Sequence, residues 1–406
     1  MASVGDTAVG PSRDDIIATV KSQHGVIFSK PAVVCRGVYS GRNLLALNSH
    51  FSPELTDHRG YLPVEWWIMS QTPALNPIPK PGEGITQLHL LDGTQLTLTD
   101  AISLAGDVIM GDYATLWPLT KVLDIGGQPV KPSFSDKEEV PPIPCHVHAG
   151  HVKDGCCCPP GKLEAYFIPP LNVPPYNKDL EGEVVIRYGL KQSVEQNELL
   201  GCLSQFGEND RIYQLMNVDF VRPFESWTIQ PKMLHAPGPW LTLEIQTPQD
   251  DFNLLGWQLG QRFDSDEARL AAKKDTQLRG LTDEKALLDE AIDWDANKDP
   301  DFKKKWHTKC DILEEGEWGK KVQLFYHKFY GEGFIVNSGH KYVSAEDSRP
   351  RAGVVWSGEG TINMKHISHN DWNSREFLLT PNHEMTIDNS SGSIPLMVFT
   401  IFPMLP

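Results

Sequence analysis

From about Val33 to Pro406 the chain is built of apolar and β-branched runs four to eight residues long, separated by Gly, Pro, Asn and Asp. The stretches Gly182 to Tyr188 (GEVVIRY), Trp240 to Gln246 (WLTLEIQ) and Leu396 to Phe402 (LMVFTIF) are examples. Runs of this length are strand-sized, and many short strands with turn signals between them predict a sandwich or barrel. Pro-rich stretches at 73–81, 129–144 and 169–175 predict loops. Two segments depart from the pattern. Residues 13–23 predict one short helix. Residues 264–296, rich in Ala, Leu, Glu and Lys, predict one or two amphipathic helices between two β-rich halves. The expected division is an N-terminal helix with the first strands (1–60), a first β unit (61–262), a helical segment (263–310) and a second β unit (311–406).

A chain of 406 residues can bury a sizeable core. No apolar run reaches the roughly 18 residues of a membrane span. The formal net charge of −16 argues against nucleic acid or an anionic membrane surface as partner, while leaving room for a locally basic pocket. The small, polar N-terminus does not read as a secretion signal. With seven cysteines, three of them consecutive (Cys156, Cys157, Cys158), reduced thiols in the cytoplasm are the expectation. Adjacent thiols on one strand cannot all face one point, so the triple is not expected to bind the metal considered next.

Four donors stand on strand-like segments. His146 and His148 are two apart, so on a strand both imidazoles share a face. In the segment from Lys162 to Ile168, Lys162, Glu164 and Tyr166 alternate with Leu163, Ala165 and Phe167, which puts Glu164 on the side of Lys162. His235 precedes Ala-Pro-Gly, again a turn-and-strand context. Three imidazoles and one carboxylate suit Zn, Mn, Fe, Co or Ni, and the residues alone do not choose among them. With one or two open positions, such an ion polarises a carbonyl as a Lewis acid.

The order H-x-H…E…H is that of a cupin barrel. Around it the text resembles type I phosphomannose isomerases, over roughly residues 60–260. Val64-Glu65-Trp66-Trp67 through Ser70 is similar to that family's early E-x-W…S segment. Pro118 through Ile125 resembles the strand before its metal motif. Pro144 through His148 stands where the family has Q-V-H-P, and Lys162-x-Glu164 where it has K-P-E. His235-Ala236 with Leu243 through Gln246 resembles V-H-A…L-E-I-Q.

The resemblance implies a mainly β fold of two cupin (jelly-roll) barrels with a helical insertion. It implies one divalent metal, zinc first with manganese or iron as alternatives, on His146, His148, Glu164 and His235. It also implies Lys162 and Glu244 at the active site, and aldose–ketose isomerisation of a carbohydrate. Three departures are visible: His146 stands for a glutamine, Ala149 for a proline, and Leu254 for an arginine ten residues after the L-E-I-Q glutamate. Arg262 is the nearest substitute for that arginine. Its displacement weakens the expectation of a phosphorylated substrate. A cupin dioxygenase or another metal cupin enzyme, and a non-catalytic sugar-binding or sensor protein, are the alternatives. In the C-terminal half, His366, His369, Glu376 and His383 form a second polar group, read as a barrel without metal because His366 and His369 are three apart.

Overall fold

A computed structural model describes residues 10–41, 57–150, 161–170 and 184–405. The Cys156–Cys158 triple lies outside the described residues. The fold is mainly β, and four antiparallel sheets carry it.

A seven-stranded sheet runs in the order His307–Lys309, Glu225–Ile229, Glu164–Phe167, Leu241–Gln246, Leu119–Asp124, Leu62–Ile68 and Ala32–Arg36. A five-stranded sheet holds Met216–Phe220, Val185–Leu190, His235–Pro237, His146–Val147 and Asn253–Leu254. A nine-stranded sheet includes Gly331–Val336, Leu396–Ile401, Arg351–Ser357 and Glu376–Leu379, and beside the last of these Val26–Lys30 from the N-terminal region. The fourth sheet contains Lys341–Asp347, His383–Asp388, Glu359–Ile362 and Lys365–Ser368. The first 60 residues therefore lend one strand to the nine-stranded sheet and another, Ala32–Arg36, to the seven-stranded one.

Strand alternation sorts the cores between the sheets. Ala165, Phe167, Leu243 and Ile245 share a core with Val354, Leu378 and Phe399, so one face of the seven-stranded sheet packs on the nine-stranded sheet. Tyr166, Ile168 and Trp227 on the opposite face pack with Ile186 of the five-stranded sheet. On the far side of the nine-stranded sheet, Val26, Phe334 and Phe377 pack with Ile362, Met385 and Ile387 of the fourth sheet.

The first helix spans Arg13–Ser22, close to expectation, and starts on a capping box of Ser12 and Asp15. The segment 264–296 is helical but broken: Asp266–Ala272, Lys273–Leu278, Glu284–Ala291 and Trp294–Asn297. The break falls at Arg279 and Gly280, with φ of +45° and +97°, a left-handed turn that ends a helix. Two further helices, Leu98–Ile109 and Gln196–Ser204, sit where strands dominate the sequence reading. The signal for the first is present: Thr97 caps it, and Leu98, Ala101, Ala105 and Ile109 recur at helical spacing and are buried. No helix among the described residues is long and apolar enough to cross a membrane.

Candidate metal centre

The structure brings His146, His148, Glu164 and His235 together. Their donor atoms all lie within 4.8 Å of one another. The local fold explains why. His146 and His235 are register partners on neighbouring strands of the five-stranded sheet, so their rings stand side by side with centroids 4.0 Å apart. Glu164 projects from the facing sheet on the side of Tyr166, as the alternation requires. Gly161 lets the chain reach it: φ is +63°, and a Cβ there would lie 2.2 Å from the carbonyl oxygen of His148.

Each imidazole is oriented from behind. His146 Nδ1 lies 2.7 Å from the Pro144 carbonyl, His148 Nδ1 2.6 Å from that of Asp251, and His235 Nδ1 2.9 Å from that of Met233. A carbonyl only accepts, so Nδ1 carries the proton in all three rings, and a neutral ring then offers a bare lone pair at Nε2. Burial, reinforced by the neighbouring His235 and His148, holds His146 well below the ordinary histidine range. Burial and the charge on Lys162 bring His148 down to about 4. Burial opposes the charge on Glu164, but the charge on Lys162 beside it outweighs burial and holds the carboxyl well below its usual range.

The result is a conflict that a cation resolves. His235 Nε2 lies 2.8 Å from Glu164 Oε1, and His148 Nε2 3.1 Å from Glu164 Oε2. With the His148 ring neutral, its approach sets lone pair against carboxylate. Both Nε2 atoms are buried without a hydrogen-bond partner. Buried polar atoms are rarely left so. Three oriented imidazoles and a carboxylate fit a divalent transition metal in chemistry and in burial.

Lys162 and Glu244 line the same cavity. Lys162 Nζ contacts Glu164 Oε2 at 3.0 Å, donates to Gln246 Oε1 at 2.9 Å and lies 3.8 Å from Glu244 Oε1. Although burial disfavours it, the charge on Lys162 is secured by Glu164 and Glu244, which raise its pKa. Glu244 is pushed up to about 7, first by burial and next by the charge on Glu164. Its Oε1 has no hydrogen-bond partner.

Arg262 is elsewhere. Its side chain is 42% exposed and pairs with Asp210 at 3.2 Å, outside the cavity wall. Leu254 does reach the wall, as an apolar side chain on the strand residue opposite His146. The sequence reading missed the cavity's other charged groups: Arg36, Glu65, Lys121 and Asp250. Glu65 and Lys121 fall inside motifs quoted above, and Lys121 in an otherwise buried strand was a usable signal. Arg36 and Asp250 are 214 residues apart, and nothing local announces their pairing.

A second group of donors, Cys35, Asp57 and Glu83, also gathers closely. It already holds a cation: Arg59 lies 2.5 Å from both carboxylates, and burial pushes the Cys35 thiol up to about 11. The C-terminal residues do not converge. His366 is exposed, His369 and His383 are half-buried, and Glu376 accepts from Trp66 Nε1 and the Met69 amide at 2.7 Å each.

No family model matches the chain, and no curated protein matches it. Solved structures do. A protein of Archaeoglobus fulgidus provisionally assigned as a mannosephosphate isomerase is 14% identical, with 94% of this chain and 98% of that chain covered and a TM-score of 0.57. The mannose 6-phosphate isomerase of Bacillus subtilis is 17% identical, with 92% and 99% covered and a TM-score of 0.55. A mannose 6-phosphate isomerase bound with zinc and yttrium is 10% identical, with 94% and 100% covered and a TM-score of 0.51. Identities this low establish a shared fold, which runs through nearly the whole of each chain.

Proposed function

We propose that the protein is a metal-dependent isomerase that interconverts an aldose and a ketose form of a sugar or sugar derivative. The observation that carries this is the convergence of three oriented imidazole lone pairs and one buried carboxylate in a cavity shared with Lys162 and Glu244. The neighbours of like fold are described as mannose 6-phosphate isomerases, and one was crystallised with zinc. On this reading residues 61–262 form the catalytic unit, 263–310 a helical connection and 311–406 a supporting β unit.

His146, His148, Glu164 and His235 would hold the divalent ion, zinc first among candidates. When bound, it would polarise the sugar's carbonyl and favour the charge that gathers on oxygen. The chain supplies the rest. Isomerisation takes a proton from one carbon and returns it to the next, so it needs a base that is also a competent acid. Glu244, raised to about 7 and free at Oε1, has that character. Lys162 stays charged and can donate a hydrogen bond to an oxygen that becomes anionic.

The test is elemental analysis of the purified protein followed by anaerobic incubation with aldoses and ketoses in deuterated water. One divalent ion per chain, with deuterium entering the carbon next to the carbonyl, is expected. A strict requirement for oxygen would move the protein to the oxygenases that use a similar donor set. Binding of sugars without any exchange would make it a sensor.

A further inference from the structure

Beyond the metal ligands, the cavity contains a second charged group. Arg36 Nε donates to Glu65 Oε1 at 2.7 Å, and its Nη2 donates to Glu65 Oε2 at 3.1 Å and to both oxygens of Asp250 at 3.0 Å. Lys121 Nζ lies 3.5 Å from Glu65 and 3.6 Å from Asp250. All four side chains are at most 5% exposed. Tyr39 and Trp67 each donate a further hydrogen bond to Glu65, at 2.8 and 2.6 Å. Lys121 is the register partner of Glu244 across two adjacent strands, so this quartet continues directly from the catalytic groups.

Every described cation on the wall is thus in contact with two carboxylates: Arg36 and Lys121 with Glu65 and Asp250, and Lys162 with Glu164 and Glu244. A phosphate seated on Arg36 or Lys121 would meet Glu65 and Asp250 within the same few ångströms. Like charges brought together in a buried site are costly. A hydroxyl suffers no such conflict, because it both donates and accepts. Two hydroxyls on adjacent carbons can donate to Asp250 and accept from the Lys121 ammonium beside it, while Arg36, whose remaining N–H groups bond the Leu75 carbonyl and Asn76, holds Glu65 and Asp250 in place. Val38, Leu123 and Ile143 on the same wall suit the C–H faces of a sugar.

We infer that the substrate is an uncharged sugar whose hydroxyls are read by the Arg36–Glu65–Lys121–Asp250 quartet, and that the pocket discriminates against the phosphate ester of the same sugar. The inference deepens the isomerase reading, but its first test is a binding measurement independent of turnover. The metal-loaded protein is titrated calorimetrically with a panel of hexoses and pentoses, each beside its terminal phosphate ester, mannose and mannose 6-phosphate included. The neutral member of the best-bound pair is expected to bind about ten-fold or more tightly than its ester, and inorganic phosphate is not expected to compete with it. An ester that binds more tightly than its parent sugar overturns the inference, as does failure of every neutral sugar to bind.

Two variants then test the cause. Glu65→Gln and Asp250→Asn each leave shape nearly unchanged and free one face of Arg36 and Lys121. Each should shift the ratio of the two affinities toward the ester by about ten-fold. Retained metal content shows that the variant is folded, and an unmoved ratio in either folded variant contradicts the role given to the quartet. If neutral sugars bind but no proton exchange occurs, the isomerase reading fails while the substrate class stands.

Discussion

The cavity between the five- and seven-stranded sheets and the space between the nine- and four-stranded sheets each lie between two antiparallel sheets but are filled in opposite ways. The first is lined by His146, His148 and Glu164 with Lys162 and Glu244, and His235 completes the donor cluster beside them. The second is packed with Phe334, Phe377, Met385 and Val398, all fully buried. The C-terminal unit does have a buried carboxylate, but on the wrong face. Phe377 and Leu379 point toward the fourth sheet, so Glu376 and Leu378 point the other way, toward the seven-stranded sheet. Strand alternation supplies inward positions in both places. A single step of parity decides whether a donor enters a cavity or an inter-sheet core.

The contrast is broken most severely by removing one of the four clustered donors. His148→Ala, or the double alanine change at His146 and His148, should reduce metal content to background, since a buried site does not keep its ion after losing such a ligand. The matched change His383→Ala should leave metal content as it was. Elemental analysis of both settles the comparison, and full occupancy in the double variant would remove the four-donor assignment. The packed side responds differently. Phe334 is fully buried and its ring lies 5.0 Å from that of Tyr342. Phe334→Ala should cost roughly 3–5 kcal/mol of stability with the metal stoichiometry unchanged. Chemical denaturation alongside metal analysis reads both quantities. A loss of metal in the folded variant would mean that the two halves are not independent in this respect.

How much of this the sequence announces depends on how local the signal is. His146, His148 and Glu164 can be read because a strand's two-residue period places them. Helix Leu98–Ile109 has an equally local signature in its spacing, hidden among strand-like neighbours. Arg36 with Asp250 cannot be read, because the pairing depends on how distant strands stack. Arg262 illustrates the reverse error. Proximity along the chain to Leu254 suggested a substitute, yet the chain turns away after Leu254 and Arg262 ends in a half-exposed pair with Asp210. Charged side chains gathered from different sheets are a tertiary property, while single-strand donor pairs are not.

Glu376 sharpens the comparison by pH. Burial raises it from an ordinary 4.5 to about 7, against the hydrogen bonds from Met69 and Trp66. In the unfolded chain the carboxyl ionises near 4.5, and in the folded chain only near 7. The folded state therefore binds the extra proton across that window. Its contribution is fully present below about 4.5 and is lost as pH rises through about 7. The loss is on the order of 3 kcal/mol. Urea unfolding at intervals between pH 4.5 and 8 should show this decline. Glu376→Gln should lower stability at acid pH, because an amide meets one of the two donors badly, while flattening the slope. An equally steep slope in the variant would assign the effect to other groups.

The smallest expected effect concerns Tyr166, two residues from Glu164 on the same face of the same strand. Its hydroxyl donates to Glu164 Oε1, and both side chains are almost fully buried. The ring itself is fixed between neighbours, with that of Trp240 centred 5.9 Å away. Removing only the oxygen therefore leaves the packing in place and frees one carboxylate oxygen of its donor. Groups that orient a ligand from behind are worth about 10–100-fold in metal affinity, so Tyr166→Phe should weaken metal binding by a factor in that range. Competition with a chelator of known affinity measures it without recourse to turnover. Phe334→Tyr, which adds a hydroxyl on the packed side, should leave metal affinity unchanged even if it destabilises the fold. Should Tyr166→Phe bind metal as tightly as the parent, the phenol contributes packing alone. The three histidines, each held by a backbone carbonyl, would then orient the site without it.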